Sequence, residues 1–429
     1  MTPHPGKATR SASIRPYATG EVRYQPLSQV LRRRQRIRAG LVQLIAVLVA
    51  LVLGLTLPRI SQGTMLGSRV VSQLLVGLAA ALIPFIGVVF SLLFLVVQFG
   101  STNWTPRLNL FRDNPIVWRS FAFFTGVIVW SATAALVTSS RDEVSVVVPI
   151  AALLSVLAAL AVFRAVQMEA FRSIQLAPTI GAIVNRGRAV IDALYQDPLD
   201  AGFEAAPSLP GVVTELRWSR PSGVLRQIDL PTLVGAASRI GGIVELAVPV
   251  GSVVSEGGVV VRVRGSETAF DPQDMLRALE VGLEGSFDQD PRFAFRLLGD
   301  IAMRALSPAL NDQSTALHAI DAVDSLLTPL ARRRLDIGHI RSSAGELRVV
   351  LPVPDWDAYV MLAVEDIARA GADNRRVLRR MLLLLDNLVE IAPHDRLEVL
   401  MSRQRELTRA LERVEAAGGL RSEHELDER

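Results

Sequence analysis

The sequence predicts an α-helical membrane domain of four transmembrane helices, followed by a mixed α/β cytoplasmic domain with a small β-sandwich-like part and a helical part. Three observations support this fold class. Half of the 429 residues are hydrophobic, and the excess lies before residue 164. A two-residue alternation typical of strands begins near residue 212. Amphipathic helical patterns dominate from residue 271.

Four long apolar runs carry the membrane prediction. None of them contains Asp, Glu, Lys, Arg or His, and they occupy residues 41–57, 70–97, 121–137 and 144–163. A helix needs roughly 20 apolar residues to cross the hydrocarbon layer, so each run is long enough or nearly so. The first run follows a long charged leader and lacks a small-residue cleavage site, which favours an uncleaved anchor over a signal peptide.

Arginines beside the spans predict the orientation. They are concentrated before the first span (residues 32–38) and after the second, at Arg107, Arg112 and Arg119. The loop after the third span has only Arg141, while the loop after the first has Arg59 and Arg69. The positive-inside rule therefore predicts a multi-pass protein of the bacterial inner membrane with both termini in the cytoplasm.

The second span has a stripe of small and weakly polar residues. Its members recur at steps of three and four, so they share one helix face: Gln73, Gly77, Ala80, Pro84, Gly87 and Ser91. Such a stripe is most often a packing seam between helices. The alternative is the wall of a water-filled pathway in an oligomer, with Pro84 as a kink. The absence of ionisable groups in the spans argues against a proton-coupled transporter.

Composition excludes several kinds of chemistry. Cysteine is absent, which excludes disulfides, thiolate metal sites and a thiol nucleophile. The single lysine, Lys7, leaves none for a Schiff base or a phosphate-binding P-loop. The net charge of +4 arises largely before residue 40, so we attribute it to membrane topology and expect no nucleic-acid partner.

The predicted domain organisation follows these changes of pattern. It comprises a basic N-terminal segment (1–40), the membrane domain (41–163), a helical extension and linker (164–211), a β-rich subdomain (212–268), a helical α/β subdomain (269–417) and a disordered tail (418–429). Residues 241–265 are similar to the hairpins of biotinyl and lipoyl carrier modules. Those modules attach their cofactor to a lysine, which this stretch lacks, so no cofactor is expected.

Elements of the helical subdomain are predicted from caps and periodicity. We expect helices over residues 271–284, 291–306, 312–332, 356–370, 374–391 and 395–416, and a strand over 345–353 that returns to the sheet. The last helix has a heptad-like apolar stripe, which indicates intramolecular packing more often than a subunit contact.

Two candidate sites lie around the second of these helices. Arg292, Arg296, Asp300 and Arg304 share a face, which indicates an ion-paired row or, less commonly, an arginine wall for an anion. Beyond it, an anion-binding corner could form from the residues Arg304, Ser307, Asn311, Asp312, Ser314 and Thr315. The simpler interpretation, which we favour, is two helices joined by a turn that Asn311 or Asp312 caps.

The sequence contains little that would support a metal site or a catalytic site. His318, Asp321 and Asp324 lean around one side of a helix, but a metal site needs three or four convergent ligands and the other histidines are scattered. No nucleophile with an adjacent base is recognisable. We therefore expect no metal and no enzymatic activity.

The segment over residues 287–327, "FDQDPRFAFRLLGDIAMRALSPALNDQSTALHAIDAVDSLL", resembles the core signature of the domain of unknown function 2254 family. "STNWTPRL" (101–108), "GVLRQID" (223–229) and "VPVGSVVSEGGVVVRV" (248–263) are also similar to that family. One departure is Gln313, where the family has proline. The resemblance implies a bacterial membrane protein with four spans and a cytoplasmic domain, without an established activity.

Two functional hypotheses follow. The first is an oligomeric channel-like or transport-related protein whose cytoplasmic domain senses or gates. The second is a membrane-anchored scaffold or sensor that binds partners without conduction. Both imply the lipid bilayer and other copies of the chain as partners, with a small anion or another protein as a further ligand.

Overall fold

The computed structural model describes residues 29–103, 115–174, 176–199, 208–266 and 268–427. Four long apolar helices come first: α1 (Gln29–Thr56), α2 (Ser68–Asn103), α3 (Pro115–Ser139) and α4 (Val147–Ile174). Their apolar windows are Leu41–Arg59, Ser68–Leu92, Trp118–Ser139 and Val147–Phe171. Each is long and apolar enough to cross a membrane, so the four predicted spans are confirmed as helices of that kind. Most of the "STNWTPRL" stretch (101–108) lies within residues 104–114, outside the described residues.

Helix α3 is the central helix of the bundle. Half of its apolar window is buried within the chain, against 17% for each of the other three spans. It packs on α1, α2 and α4, and its buried face includes Phe124, Trp130 and Ala134. At one end of the bundle, strands β1 (Met65–Gly67) and β2 (Glu143–Ser145) pair antiparallel and join the two loops that follow α1 and α3.

A further helix, α5 (Leu176–Leu194), follows α4 with only residue 175 between them. It packs into the α/β region against two helices described below. The predicted helical continuation after the fourth span is thus present, and its place beyond the membrane stays a prediction. The chain then passes residues 200–207, which lie outside the described part, and enters the sheets.

Two sheets form the β-rich part. The strands are β3 (Val212–Arg217), β4 (Gly223–Ile228), β5 (Ile243–Leu246), β6 (Val253–Val254), β7 (Val259–Arg264), β8 (Leu279–Gly282), β9 (His339–Arg341) and β10 (Leu347–Val350). One sheet has the order β3-β7-β5-β10-β9 and the other β6-β4-β8. Strands β5 and β10 are parallel, whereas the other named pairs in the described residues are antiparallel. The predicted return of the chain to the sheet is thus confirmed by β10.

Seven more helices complete the region: α6 (Leu230–Arg239), α7 (Pro272–Leu276), α8 (Arg292–Ala305), α9 (Gln313–Leu330), α10 (Trp356–Ala370), α11 (Arg375–Ile391) and α12 (Leu397–Asp427). Side-chain caps begin five of them, from Asp229, Asp271, Asp312, Asp355 and Asn374. Each of these side chains accepts from a backbone N–H of the first turn, which otherwise has no partner within the helix.

The structure differs from the sequence expectation in two elements. The predicted helix over residues 271–284 is only the short α7, because Leu279 and Val281 then extend as β8 and pair with β4. Tertiary pairing overrides local helical preference here. At the other end, α12 continues to Asp427, where the sequence predicts a disordered tail.

Apolar side chains of the α/β region divide between two cores. The larger core packs α5 and α8–α12 together and includes Tyr195, Phe295 and Tyr359. The smaller core lies between the sheets and α6 and includes Leu225 and Val261. The seam between these cores brings together segments that are distant in the sequence.

Candidate functional site

The small-residue stripe of α2 faces away from the rest of the chain. Val71, Leu75, Leu82 and Val89 form the buried face of the helix. The six stripe residues are all exposed, and at 3.6 residues per turn they lie on the opposite face. A Cβ added at Gly77 or at Gly87 would meet no atom within 4 Å. The stripe is therefore not a packing seam within the described part of a single chain.

Two members of the predicted row, Arg292 and Arg296, are paired, but through an acid that the sequence analysis did not select. Asp290 accepts hydrogen bonds from Nε of Arg292 (3.2 Å) and from Nη1 of Arg296 (3.0 Å). Its carboxylate is almost fully buried, with 3% of the side chain exposed. It also accepts from the backbone N–H of Arg292 at 3.1 Å, in an Asx-type turn before α8. The Asp-Pro-Arg sequence could have indicated this turn.

This cluster fastens α8 to the turn between β5 and β6. Arg292 donates through Nη2 to the carbonyl of Val250 (2.5 Å), and Arg296 donates to that of Gly251 at 3.3 Å. Gly251 has a φ of +82°, and a Cβ there would lie 1.8 Å from Oδ2 of Asp290. Only glycine fits both the backbone conformation and the close approach.

The helix–turn–helix corner from Arg304 to Thr315 is held by internal hydrogen bonds. Asp312 accepts from the backbone N–H of Thr315 (3.1 Å) and from its hydroxyl (2.5 Å). The Ser307 hydroxyl donates to the carbonyl of Arg304 at 2.7 Å. Asn311 has a φ of +45°, the only positive value for a non-glycine residue in the described part of the chain. The cap hypothesis therefore accounts for the roles of Asp312 and Thr315.

Electrostatics at the corner follow from the cap. The hydrogen bond from the Thr315 hydroxyl, together with the Thr315 and Ser314 backbone N–H groups, lowers the pKa of Asp312. The carboxylate thus occupies the N-terminus of α9, where an external anion would otherwise bind. Arg304 has a buried Nε without a hydrogen-bond partner among the described residues. An anion at this arginine stays a prediction.

The third group of candidates connects two helices. Asp321 and Asp324 on α9 accept from Arg380 on α11, at 2.5 Å to Nε and 2.8 Å to Nη2 respectively. His318 on the same helix is not part of this contact. No cluster of three or more residues that could bind a metal occurs in the described ranges. These carboxylates hold α11 against α9.

A cleft opens at the seam between the two cores of the α/β region. Its volume is about 60 Å³, and its lining comes from the end of α5, from the segments after β4, β5 and β10, and from residues 289–292. Most of the lining is aliphatic or proline. The sequence analysis did not predict the cleft, although Pro-containing runs shortly after two strands ("VPV" at 248–250 and "LPVP" at 351–354) were a usable signal.

A tyrosine pair lies beside this cleft. Tyr195, on its wall, has its hydroxyl 2.9 Å from that of Tyr359, and both rings are buried. Burial raises the pKa of Tyr195 to about 12 and that of Tyr359 well above its usual value. Both phenols are therefore neutral at pH 7, and one of them donates a hydrogen bond to the other.

Comparisons with known proteins agree with this architecture. A family described as predicted membrane protein (DUF2254) matches residues 37–387. Two uncharacterised proteins, from Mycobacterium bovis and Mycobacterium tuberculosis, are each 32% identical over 340 residues, or 74% of this chain. The chain matches 63% of the length of these relatives. No solved structure gives a significant match. By its family match and the extent of these similarities, the chain belongs to the DUF2254 family of predicted membrane proteins.

Proposed function

We propose that copies of this chain assemble in the bacterial inner membrane through the exposed stripe of α2. We further propose that the assembly forms a pathway for an ion or small solute along this face. In this account both termini are cytoplasmic, and the α/β region senses a signal and gates the pathway. The observation that carries the proposal is the outward orientation of all six stripe residues.

The contrast with the other exposed faces supports assembly at the stripe. Elsewhere most of the exposed membrane residues are large aliphatics, such as Leu48, Leu74, Ile83 and Leu153. Large side chains suit contact with lipid, whereas small residues let a second helix approach closely. Gln73 and Ser91 add hydrogen-bonding groups, which are costly against lipid and useful against a neighbouring helix or water.

Helix α5 supplies the connection between the two regions. It continues from α4, and Arg188 on it donates to the carbonyl of Ser325 on α9 at 2.7 Å. A Cβ at Gly187 would lie 2.6 Å from Cβ of Ala294, so α5 and α8 pack closely at this glycine. A shift within the α/β region would therefore move the end of the fourth span.

Flux through purified protein in liposomes tests the pathway. Gly87→Leu fills the stripe and should remove ion or solute flux, because a leucine there separates the helices that line the path. Val88→Leu is the matched control, since Val88 is 57% exposed and lies outside the stripe. Absence of flux for the parent protein across voltage, tension and several anions would reject the conducting form.

The second candidate is a non-conducting scaffold, and one patch favours it. Val253 of β6 and Leu283 after β8 are 65% and 94% exposed. Val224 lies between Val253 and Gly282 in the register of the three-stranded sheet, so Val253 and Leu283 lie at the same end of that sheet. Such a patch suits a protein partner. Cross-linking in native membranes should then recover one partner whose yield falls with Leu283→Asp; self-association alone would reject the scaffold.

A further inference from the structure

The cleft lies where the parallel strands β5 and β10 separate. Their last paired residues are Glu245 and Val350. The chain beyond β5 provides one wall through Val248, and the chain beyond β10 provides the other through Val353. Crevices beyond the carboxyl ends of parallel strands are common ligand sites, because the separating chains leave backbone groups unpaired.

The walls combine rigid apolar surface with unpaired backbone groups. Pro249, Pro352 and Pro354 restrict the backbone and have no N–H to donate. No hydrogen bond joins the backbone of Val248 or Val353 to another described residue. Val248 and Val353 are half-buried residues, so their backbone N–H and C=O groups are available to water or to a ligand.

The charge beside the cleft is positive. Asp290 is the only acid and Arg292 the only base among the described lining residues. Asp290 is shared with Arg296, so one carboxylate faces two guanidinium groups and the cluster carries a net charge of +1. A net positive charge beside the cleft favours a ligand with one negative charge and disfavours a cation.

The size of the cleft limits the ligand. A cavity of roughly 10–15 Å³ holds one water molecule, so about 60 Å³ admits a few heavy atoms. A nucleotide does not fit. An apolar body of a few carbons fits between the prolines, and one polar end reaches the arginine and the unpaired N–H groups.

We propose that this cleft binds a small organic monocarboxylate. Its carboxylate accepts from Arg292 and from a backbone N–H at Val248 or Val353, and its short hydrocarbon part lies against the prolines. Leu194 and Tyr195, at the end of α5, also line the cleft. Occupancy therefore reaches the helix that continues from the fourth span. This inference deepens the sensing part of the proposed function. The role of the ligand as a signal rests on that proposal, whereas its binding to the cleft does not.

Binding is tested with butyrate and the full chain in nanodiscs, by calorimetry at neutral pH. Butyrate should bind about tenfold or more tightly than butyramide, because its ionised carboxylate pairs with the Arg292 guanidinium whereas the neutral amide forms no ion pair. Arg292→Gln should remove this preference. Because that variant also disturbs the Asp290 cluster, Val353→Phe provides a second test by filling the cleft, with Val253→Phe as an exposed control.

The expected result is loss of butyrate binding in Val353→Phe and its retention in Val253→Phe. Equal binding of butyrate and butyramide, or butyrate binding that survives Val353→Phe, would overturn the proposal. So would binding of chloride or phosphate in place of butyrate. Failure of assembly or flux leaves this binding result unaffected, so the two proposals can fail separately.

Discussion

The membrane helices and the α/β region differ in where their small, polar and charged groups point. On α2 the six stripe residues are exposed, and a Cβ added at Gly77 or at Gly87 would meet no atom within 4 Å. In the α/β region, most of the charged residues selected from the sequence are paired internally, as Arg292 and Arg296 are on Asp290. We therefore propose binding at the exposed stripe of α2 and in the cleft of the α/β region, whereas the paired charges stabilise the fold.

Removal of Asp290 should have the largest effect on stability. Asp290→Ala leaves two guanidinium groups that are only 16% and 24% exposed without their carboxylate. Breaking a buried pair in this way costs about 3–5 kcal/mol. Denaturant unfolding of the purified protein measures it. Glu406→Ala is the control and should cost about 1 kcal/mol or less, because the Glu406 carboxylate paired with Arg403 is 55% exposed, against 3% for Asp290. Equal losses of unfolding free energy in Asp290→Ala and Glu406→Ala would contradict the assignment of Asp290 as a buried partner of two arginines.

The tyrosine pair should show a smaller effect that depends on alkaline pH. Tyr195→Phe leaves the Tyr359 hydroxyl buried without a partner, which costs about 1–3 kcal/mol. The folded protein holds the Tyr195 proton more tightly than the unfolded chain, whose pKa is near 10.0. The stabilisation is therefore full below pH 10 and falls as pH rises toward about 12.

Unfolding free energies at about pH 9 and about pH 11 check this sign, because the two conditions flank the ordinary tyrosine pKa. The parent protein should lose more stability between them than Tyr195→Phe does. A loss of the same size in both proteins would show that the pair does not retain its protons on folding.

Loss of the cap at α9 should be the smallest of these effects. Asp312→Ala removes the acceptor for Thr315 and costs about 1 kcal/mol, whereas Asp312→Asn retains an acceptor and costs less. Because the folded-state pKa of Asp312 is lowered from 3.8, its contribution is present above that pH and is lost as pH falls below it. The difference between parent and Asp312→Ala should therefore shrink in acid; an unchanged difference would contradict the assignment.

Much of the fold follows from local sequence signals. Apolar runs without charge predict the spans, and capping residues such as Asp355 and Asn374 predict where helices begin. Strand β8 was missed because its four residues gain their structure from pairing with β4, which local propensity does not contain. The cleft was missed for a similar reason, since Tyr195, Val250 and Val353 meet only through tertiary packing.

The candidate sites were predictable in part. The recurrence of small residues at steps of three and four located the α2 stripe. That spacing alone does not show which face of α2 is buried in the bundle. The arginine row was found, whereas its partner Asp290 was not, because an Asx turn before α8 brings the acid back toward the helix.

Site-directed disulfide formation in membranes tests most directly whether the α2 stripe lies against another copy. The chain contains no cysteine, so one introduced cysteine reports on one position. Ser91→Cys lies on the stripe, and Leu92→Cys lies beside it at a similar depth with 48% exposure. Cross-linking needs the two Cα atoms within about 7 Å. The account predicts oxidant-dependent dimers of the chain with Ser91→Cys and few with Leu92→Cys; the reverse order, or equal yields, would contradict it.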